Sequence, residues 1–334
     1  MKRARTAWLC AWMSIVTALP LCAAEALHWA PDRLARLHAF MDKATDGEGY
    51  LGGVTLVMQN DTVIELKAYG HRDLGRHVPM TTDAIFRIYS MTKTVTSVAL
   101  MMLVEEGKVG LDDPVSKYLP GFDHTQVLDH GTRRPASREV TLHDLLTHTA
   151  GYPAGLKGDE SAVKAMERVD PHGASDLRDF AARMSRVDLA ADPGTRFGYD
   201  GASLELIARV VEVASGQSFA TFLQKRIFTP LGMADTSFSV PASKRSRIVD
   251  ITTMGDDGRL RIADGPSARH PGDALNRYDS GAGGLYSTVG DYARFARMLL
   301  DGGTVDGQVL LGRKTVEMMM RNHLGMLDPP VTQF

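Results

Sequence analysis

Phe86-Arg87-Ile88-Tyr89-Ser90-Met91-Thr92-Lys93 is the stretch on which the reading of this 334-residue chain turns. Ser90 and Lys93 stand three apart at the start of a long apolar run, Thr94-Val95-Thr96-Ser97-Val98-Ala99-Leu100, which continues to Glu106 and is closed by Gly107. The spacing predicts a helix from about Ser90 to Glu106 with both side chains on one face and a glycine just past its end. Its apolar residues lie almost all round, as expected of a buried central helix rather than a surface one. A serine hydroxyl attacks poorly until a neighbouring base takes its proton. Lysine can be that base where burial disfavours the ammonium form. The helix N-terminus also favours negative charge developing beside the serine. Ser-x-x-Lys alone is a weak signal, expected by chance about once in a chain of this length. The bland alternative is an N-capping serine followed by a solvated lysine, and the apolar residues after Lys93 argue against it.

Outward from this helix the chain alternates in character. Upstream, residues 31–43 carry Leu34, Leu37, Phe40 and Met41 at helical spacing, with Pro31 in the first turn. Residues 52–59 and 62–69 read as two strands joined at Asn60-Asp61. Downstream, 141–148 reads as a short helix and 155–173 as a polar loop, followed by helices over 175–186, 201–215 and 219–228. Residues 248–254 and 259–263 bracket Gly255-Asp256-Asp257-Gly258, a second hairpin signal. Thr288 and Asp291 have capping-box spacing and open a helix that runs to Leu300. Strands, then many helices, then strands predict an α+β fold: an antiparallel sheet flanked by helices and interrupted by an all-helical block.

The composition is that of an ordinary globular protein, 44% hydrophobic and 23% charged. The formal charge is −2 with both signs interspersed. No basic stripe is available to follow a phosphate backbone, so nucleic acid is not an expected partner. The first residues differ from the rest. Lys2, Arg3 and Arg5 precede an apolar stretch over 7–21, and Cys22-Ala23-Ala24 supplies small residues for a peptidase. This predicts a secretory signal over 1–24, cleaved after Ala24, and a periplasmic or secreted protein. The apolar stretch is short for a bilayer span, and no stable span is expected once it is removed. Cleavage would take both cysteines, Cys10 and Cys22, which excludes thiol catalysis and cysteine-ligated zinc in the mature chain.

Four stretches in order resemble the serine beta-lactamase superfamily, in particular class C beta-lactamases, D-alanyl-D-alanine carboxypeptidases and the esterases built on that scaffold. Residues 86–93 look like its first motif. Val140-Thr141-Leu142-His143-Asp144-Leu145-Leu146-Thr147-His148-Thr149-Ala150-Gly151 is similar to its Thr-Leu-Leu-Thr-His-Thr-Ser-Gly segment. Pro193-Gly194-Thr195-Arg196-Phe197-Gly198-Tyr199 resembles the approach to its second motif, and 281–288 its glycine-rich strand. The resemblance runs from about Ala30 to the end and implies one beta-lactamase/transpeptidase-like domain over 25–334. It implies Ser90 as nucleophile, Lys93 as base and the Tyr199 phenol as proton relay, through an acyl-enzyme released by water, with no metal or organic cofactor. Substrates implied are small-molecule esters, beta-lactams or peptides.

Two departures from the family pattern modify these expectations. The second motif is normally Tyr-x-Asn, whose asparagine helps hold an amide substrate and the lysine; Tyr199-Asp200-Gly201 has glycine there. That shifts the expectation from amide toward ester hydrolysis. The third motif, Lys/His-x-Gly on a late strand, supplies half of an oxyanion hole, and losing one such donor costs about 10²–10³ in turnover. After Gly302-Gly303-Thr304 and a helix-like stretch over 313–321, the chain reaches Pro329-Pro330-Val331-Thr332-Gln333-Phe334 with no candidate for it. The resemblance therefore implies a chain truncated at its C-terminus, its closing strands missing. The other option is a homologue with impaired chemistry that binds cell-wall peptides.

Other chemistries find little support. His143 and His148 are five apart without His-Glu-x-x-His, so they are expected to pack and hydrogen-bond beneath the site rather than to ligate zinc. There is no Gly-x-Ser-x-Gly elbow. Gly281-Ala282-Gly283-Gly284 reads as close backbone packing on a strand, not as a nucleotide loop, and the 17 methionines as core filling.

Overall fold

The structure, a computed structural model, describes residues 30–46, 49–59, 62–129, 131–153, 160–325 and 327. The expected signal over 1–24, the Asn60-Asp61 turn, residues 155–159 of the predicted loop and the stretch 329–334 lie outside the described residues.

Helix α1 (Pro31–Thr45) lies against a hairpin of β1 (Gly52–Gln59) and β2 (Thr62–Gly70). The hairpin register runs from Gly52 opposite Gly70, with a slip between Val57 and Met58. A two-residue strand β3 (Phe86–Arg87) feeds one tight 3-10 turn, Tyr89–Met91, and then α2 (Thr92–Glu105). The predicted continuous helix from Ser90 thus begins as a 3-10 turn. Within α2, Val95, Val98, Ala99, Leu100 and Leu103 are buried, as the all-round apolar pattern required.

A short hairpin follows, β4 (Gln126–Asp129) with β5 (Thr132–Pro135). No alternation betrays it in the sequence, because every residue of β5 is exposed. Helix α3 (Leu142–Leu146) opens with a capping box: Thr141 accepts from the Asp144 N–H and the Asp144 carboxylate accepts from the Thr141 N–H. Half of the predicted polar loop over 155–173 is in fact α4 (Glu160–Val169). Ala162 and Met166 are buried and Val169 packs on the core, so three apolar positions at helical spacing outweigh the polar residues between them.

Next come α5 (Leu177–Met184), α6 (Ala202–Ser215) ended by left-handed Gly216, α7 (Phe219–Leu223), a π turn over Gln224–Phe228, and α8 (Thr229–Leu231). The second expected hairpin forms as β6 (Thr252–Met254) and β7 (Leu260–Ile262). The chain continues through α9 (Pro266–Arg269), β8 (Tyr286–Ser287) and α10 (Val289–Leu300), which Thr288 caps by accepting from the Asp291 N–H. The hairpin β9 (Thr304–Val305) and β10 (Gln308–Val309) and helix α11 (Arg313–Met319) come last.

The mixed helix-and-strand architecture and the antiparallel pairing are those the sequence implied. Among the described residues the pairing is divided into five two-stranded ladders, with β3 joined to β8 across nearly two hundred residues. The main core gathers around α2 and α6, which pack on each other, with α3 and α5 against α6. No described helix is long and apolar enough to cross a membrane.

Asp144 ties this helical block together. Its buried carboxylate takes both guanidinium arms of Arg138, at 2.6 and 2.8 Å, besides the Thr141 N–H and hydroxyl. Burial works to raise its pKa, but the hydrogen bonds from Arg138 and Thr141 outweigh it and hold the group below the usual carboxylate range. A depressed folded pKa contributes stability that is complete above the unfolded value and lost as pH falls through the folded one. Asp144→Ala is therefore expected to lower stability at neutral pH by about 2 kcal/mol, read from the urea midpoint, with a shallower loss than wild type below about pH 4. Superimposable midpoints at both pH values would show that the network contributes nothing.

Candidate active site

Ser90 sits on the 3-10 turn between β3 and α2, and the residue before it, Tyr89, holds the left-handed conformation at φ 42°. A non-glycine residue in that region is strained and persists only where its surroundings fix it. The fixing element is the segment over 280–287, which wraps the turn. Ile88 N–H donates to Leu285 O (3.0 Å), Leu285 N–H donates to the Thr92 hydroxyl (3.2 Å), and the buried Arg87 donates to Gly284 O (2.8 Å) and Asp273 O (2.7 Å). The predicted glycine-rich strand is realised as strand only at Tyr286–Ser287; Ser280 to Gly284 instead close a turn through Gly284 N–H to Ser280 O (3.0 Å). The turn is what close packing demands. A Cβ added at Gly281 would stand 2.6 Å from Leu204 O, against the backbone of α6.

The three residues expected to carry chemistry are brought together at this turn. Lys93 Nζ lies 3.1 Å from Ser90 Oγ and donates to Ala282 O at 2.7 Å. It also stands 5.1 Å from the centroid of the Tyr199 ring, within cation–π range. Lys93 is half-buried and Ser90 exposed. Tyr199 is 49% exposed. Tyr199 thus sets its ring beside the lysine amine. Gly201 places its hydrogen where an added Cβ would touch the Ala282 side chain at 3.6 Å, an ordinary contact. The backbone carbonyl of Ala282 thus anchors Lys93 beside a position that offers no side-chain amide.

The Thr147-His148-Thr149-Ala150-Gly151 segment positions Tyr199. His148, left-handed at φ 56°, accepts from Gly198 N–H through its carbonyl (2.9 Å), and its ring packs tilted at 42° against the Tyr199 ring, centroids 4.7 Å apart. Thr149 O accepts from Gly194 N–H at 2.8 Å. His148 Nδ1 faces Asp200, 3.3 Å from its N–H and 3.4 Å from its carboxylate. His148 thus packs and hydrogen-bonds beneath the site as expected. His143 lies elsewhere, 3.2 Å from His323 at the edge of an apolar cavity between α2 and α11. Among the described residues no group of three or more histidine, cysteine or carboxylate side chains is placed to hold a metal.

Sequence reasoning missed two buried carboxylates beside this centre. Asp200 accepts from the Ser203 N–H (2.6 Å) and hydroxyl (2.9 Å), satisfying free donors at the start of α6. The Asp-x-x-Ser spacing was a legible signal for it. Glu205 is buried inside the apolar face of α6 and accepts from the Ser280 hydroxyl and the Gly281 N–H. Burial pushes its carboxyl up to about 7, against the opposing pull of those hydrogen bonds and of the Lys93 charge. Only the oddity of a glutamate within Leu204-Glu205-Leu206-Ile207 hinted at it.

Comparison with known proteins identifies the family. The Beta-lactamase family model matches residues 37–330. Protein Rv1367c of Mycobacterium tuberculosis is 34% identical over 280 residues, which cover 82% of this chain and 68% of that protein. Esterase EstB of Burkholderia gladioli is 30% identical over 283 residues, 78% of this chain and 68% of EstB. Among solved structures, a mutant of Simvastatin Synthase (LovD) from Aspergillus terreus superposes with a TM-score of 0.70 at 25% identity, covering 90% of this chain and 73% of its own. The chain thus spans about two thirds of the length of these curated relatives. With a serine, a lysine and a tyrosine converging where the sequence motifs pointed, and the family match covering most of its length, the chain belongs to the Beta-lactamase family, whose members are serine hydrolases.

Proposed function

We propose that this protein is an exported serine hydrolase that cleaves small-molecule esters through an acyl-enzyme on Ser90. The observation that carries the reading is the placement of Lys93 Nζ, 3.1 Å from Ser90 Oγ and tethered by Ala282 O on its other side. In its neutral form the amine accepts the Ser90 proton across that distance. The freed Oγ attacks the ester carbonyl carbon, and the carbonyl electron pair moves to oxygen. On collapse the C–O bond to the alcohol breaks, and the leaving alkoxide takes a proton from the Tyr199 hydroxyl, which the Lys93 ammonium restores. Water then enters by the same route in reverse: it gives a proton to Lys93 through Tyr199 and attacks the acyl carbon, and on collapse the bond from that carbon to Ser90 Oγ breaks, Lys93 returns the proton to Oγ and the acid leaves. Each proton taken is returned, so no cofactor is required by the balance.

Two features favour esters over amides. Gly201 provides no side chain to bind a substrate amide, and the open, half-exposed Tyr199 suits an alcohol leaving group. EstB, a relative, carries the name esterase, in keeping with this preference. The positively charged start followed by an apolar stretch over 7–21 supports export, which the N-terminal mass of the secreted protein would test.

Exposure to a fluorophosphonate is expected to add one phosphonyl group to the wild type, located on Ser90 by peptide mass spectrometry, and none to Ser90→Ala. Lys93→Met should slow turnover of a p-nitrophenyl ester by about 10²–10⁴, the span of general-base contributions. An adduct that persists in Ser90→Ala would refute the assignment.

Selectivity gives a second test. Residue 201 has φ −87°, so asparagine fits its backbone, and the space beside Ala282 admits a Cβ. Gly201→Asn is expected to fold and to raise the ratio of beta-lactam to ester turnover by about tenfold, one well-placed hydrogen bond being worth about 1.4 kcal/mol. An unchanged ratio would remove Gly201 from the argument for esters.

A further inference from the structure

Glu205 stands 2% exposed on a helix whose neighbouring positions are Leu204, Leu206, Ile207 and Ala208, all buried. A carboxylate in such a place is expensive unless its oxygens are satisfied. Among the described residues no lysine, arginine or histidine forms an ion pair with it. It accepts from the Ser280 hydroxyl (2.5 Å) and the Gly281 N–H (2.8 Å), and the backbone N–H of Ala282 also favours its charged form. Ser280 Oγ in turn accepts from Gly283 N–H (3.2 Å), and Thr96 on α2 donates to Gly281 O (2.7 Å). The turn over 280–283 is therefore clamped from α6 by Glu205 and from α2 by Thr96. What it presents between the two clamps is the Ala282 carbonyl that Lys93 Nζ binds at 2.7 Å.

We infer that Glu205 is a positioning residue for Lys93: its buried carboxylate fixes the Ser280–Gly283 turn and thereby holds the Ala282 carbonyl where it aims the lysine amine at Ser90. The inference rests on the reading of Ser90 and Lys93 given above. The chemistry requires a carboxylate in particular. Both neighbours are donors, and an ionised carboxylate only accepts. A protonated acid, or a glutamine, must instead donate to the Ser280 hydroxyl, which then turns its own proton away, so two charge-assisted bonds are replaced by weaker neutral ones and the turn is held less firmly. Because burial sets the Glu205 carboxyl at about 7, the clamp is whole above that pH and loosens as pH falls through it. The titratable groups facing Glu205 are Lys93 from α2 and Tyr278 just before the turn, whose phenol is pushed up by burial and then by the Glu205 charge.

The test compares wild type with Glu205→Gln and Ser280→Ala, using steady-state kinetics on a p-nitrophenyl ester and the rate of fluorophosphonate labelling from about pH 5.5 to 9. Glu205→Gln is expected to lower kcat about tenfold with KM nearly unchanged, since misaimed groups cost turnover rather than ground-state binding. It should also displace the acid limb of the labelling rate from about pH 7, the carboxyl that titrates there being gone. Ser280→Ala keeps the carboxylate but removes one of the bonds that favour its ionised form, so the same limb should move to higher pH. Wild-type kcat and an unmoved pH limb in Glu205→Gln would overturn the inference alone. If that variant does not fold, an unmoved limb in Ser280→Ala overturns it equally. A wild type that neither labels nor turns over would instead sink the hydrolase reading, and this inference with it.

Discussion

Lys93 is suspended between two oxygens, Ser90 Oγ on its own helix and Ala282 O on a turn nearly two hundred residues later. That suspension is the constraint around which the centre of the molecule is packed. For a backbone carbonyl to reach a side chain on α2, the turn must lie flat against two helices at once. Gly281 permits the approach to the α6 backbone, and Thr96 and Glu205 supply the polar contacts that keep it from being an uncompensated burial of peptide groups. The strained Tyr89 is held by the same wrapping, since the segment that offers Ala282 also pairs with β3 just before it.

Tyr199 reaches the site by a separate route, through loops rather than helices. The capping box of α3 fixes the chain after it, so that Thr149 and His148 receive the N–H groups of Gly194 and Gly198. Arg138, bound to Asp144, also packs against Gly194. A helix cap, a guanidinium and two glycine amides thus converge on one loop, and the aromatic contact with His148 sets the ring at its end. The two halves of the site have different mechanical character. Ser90 and Lys93 are on the buried scaffold, whereas Tyr199 stands half-exposed on a braced loop, positions from which binding residues can adjust to what they hold.

Three buried carboxylates of the polar core find their partners in different ways. Asp144, Asp200 and Glu205 are each buried: Asp144 is held by both arms of Arg138 and by Thr141, Asp200 by the Ser203 N–H and hydroxyl beside His148, and Glu205 by the Ser280 hydroxyl and the Gly281 N–H. Asp144 and Asp200 sit where the first turn of a helix leaves donors without partners, which makes a carboxylate welcome there. Glu205 lies mid-helix, so its donors must come from another part of the chain. Burial raises the Glu205 carboxyl to about 7, whereas the hydrogen bonds from Arg138 and Thr141 hold Asp144 low.

By itself the sequence determined what local rules can express. The apolar run after Lys93, the spacing of Ser90 and Lys93, the capping residues of α3 and α10 and the hairpin over 52–70 each depend on near neighbours, whose periodicity and side-chain chemistry are written in order along the chain. The family motifs marked Tyr199 in the same way. What only the tertiary structure decided were contacts between distant segments. These are the Ala282 carbonyl on Lys93, the ring of Tyr199 over the amine, the turn that replaced a predicted strand at 281–284, and the partners of Glu205. A carbonyl or an N–H is the same on every residue, so composition and spacing carry no sign of which one will be used; only the folded path brings a particular one within hydrogen-bond reach.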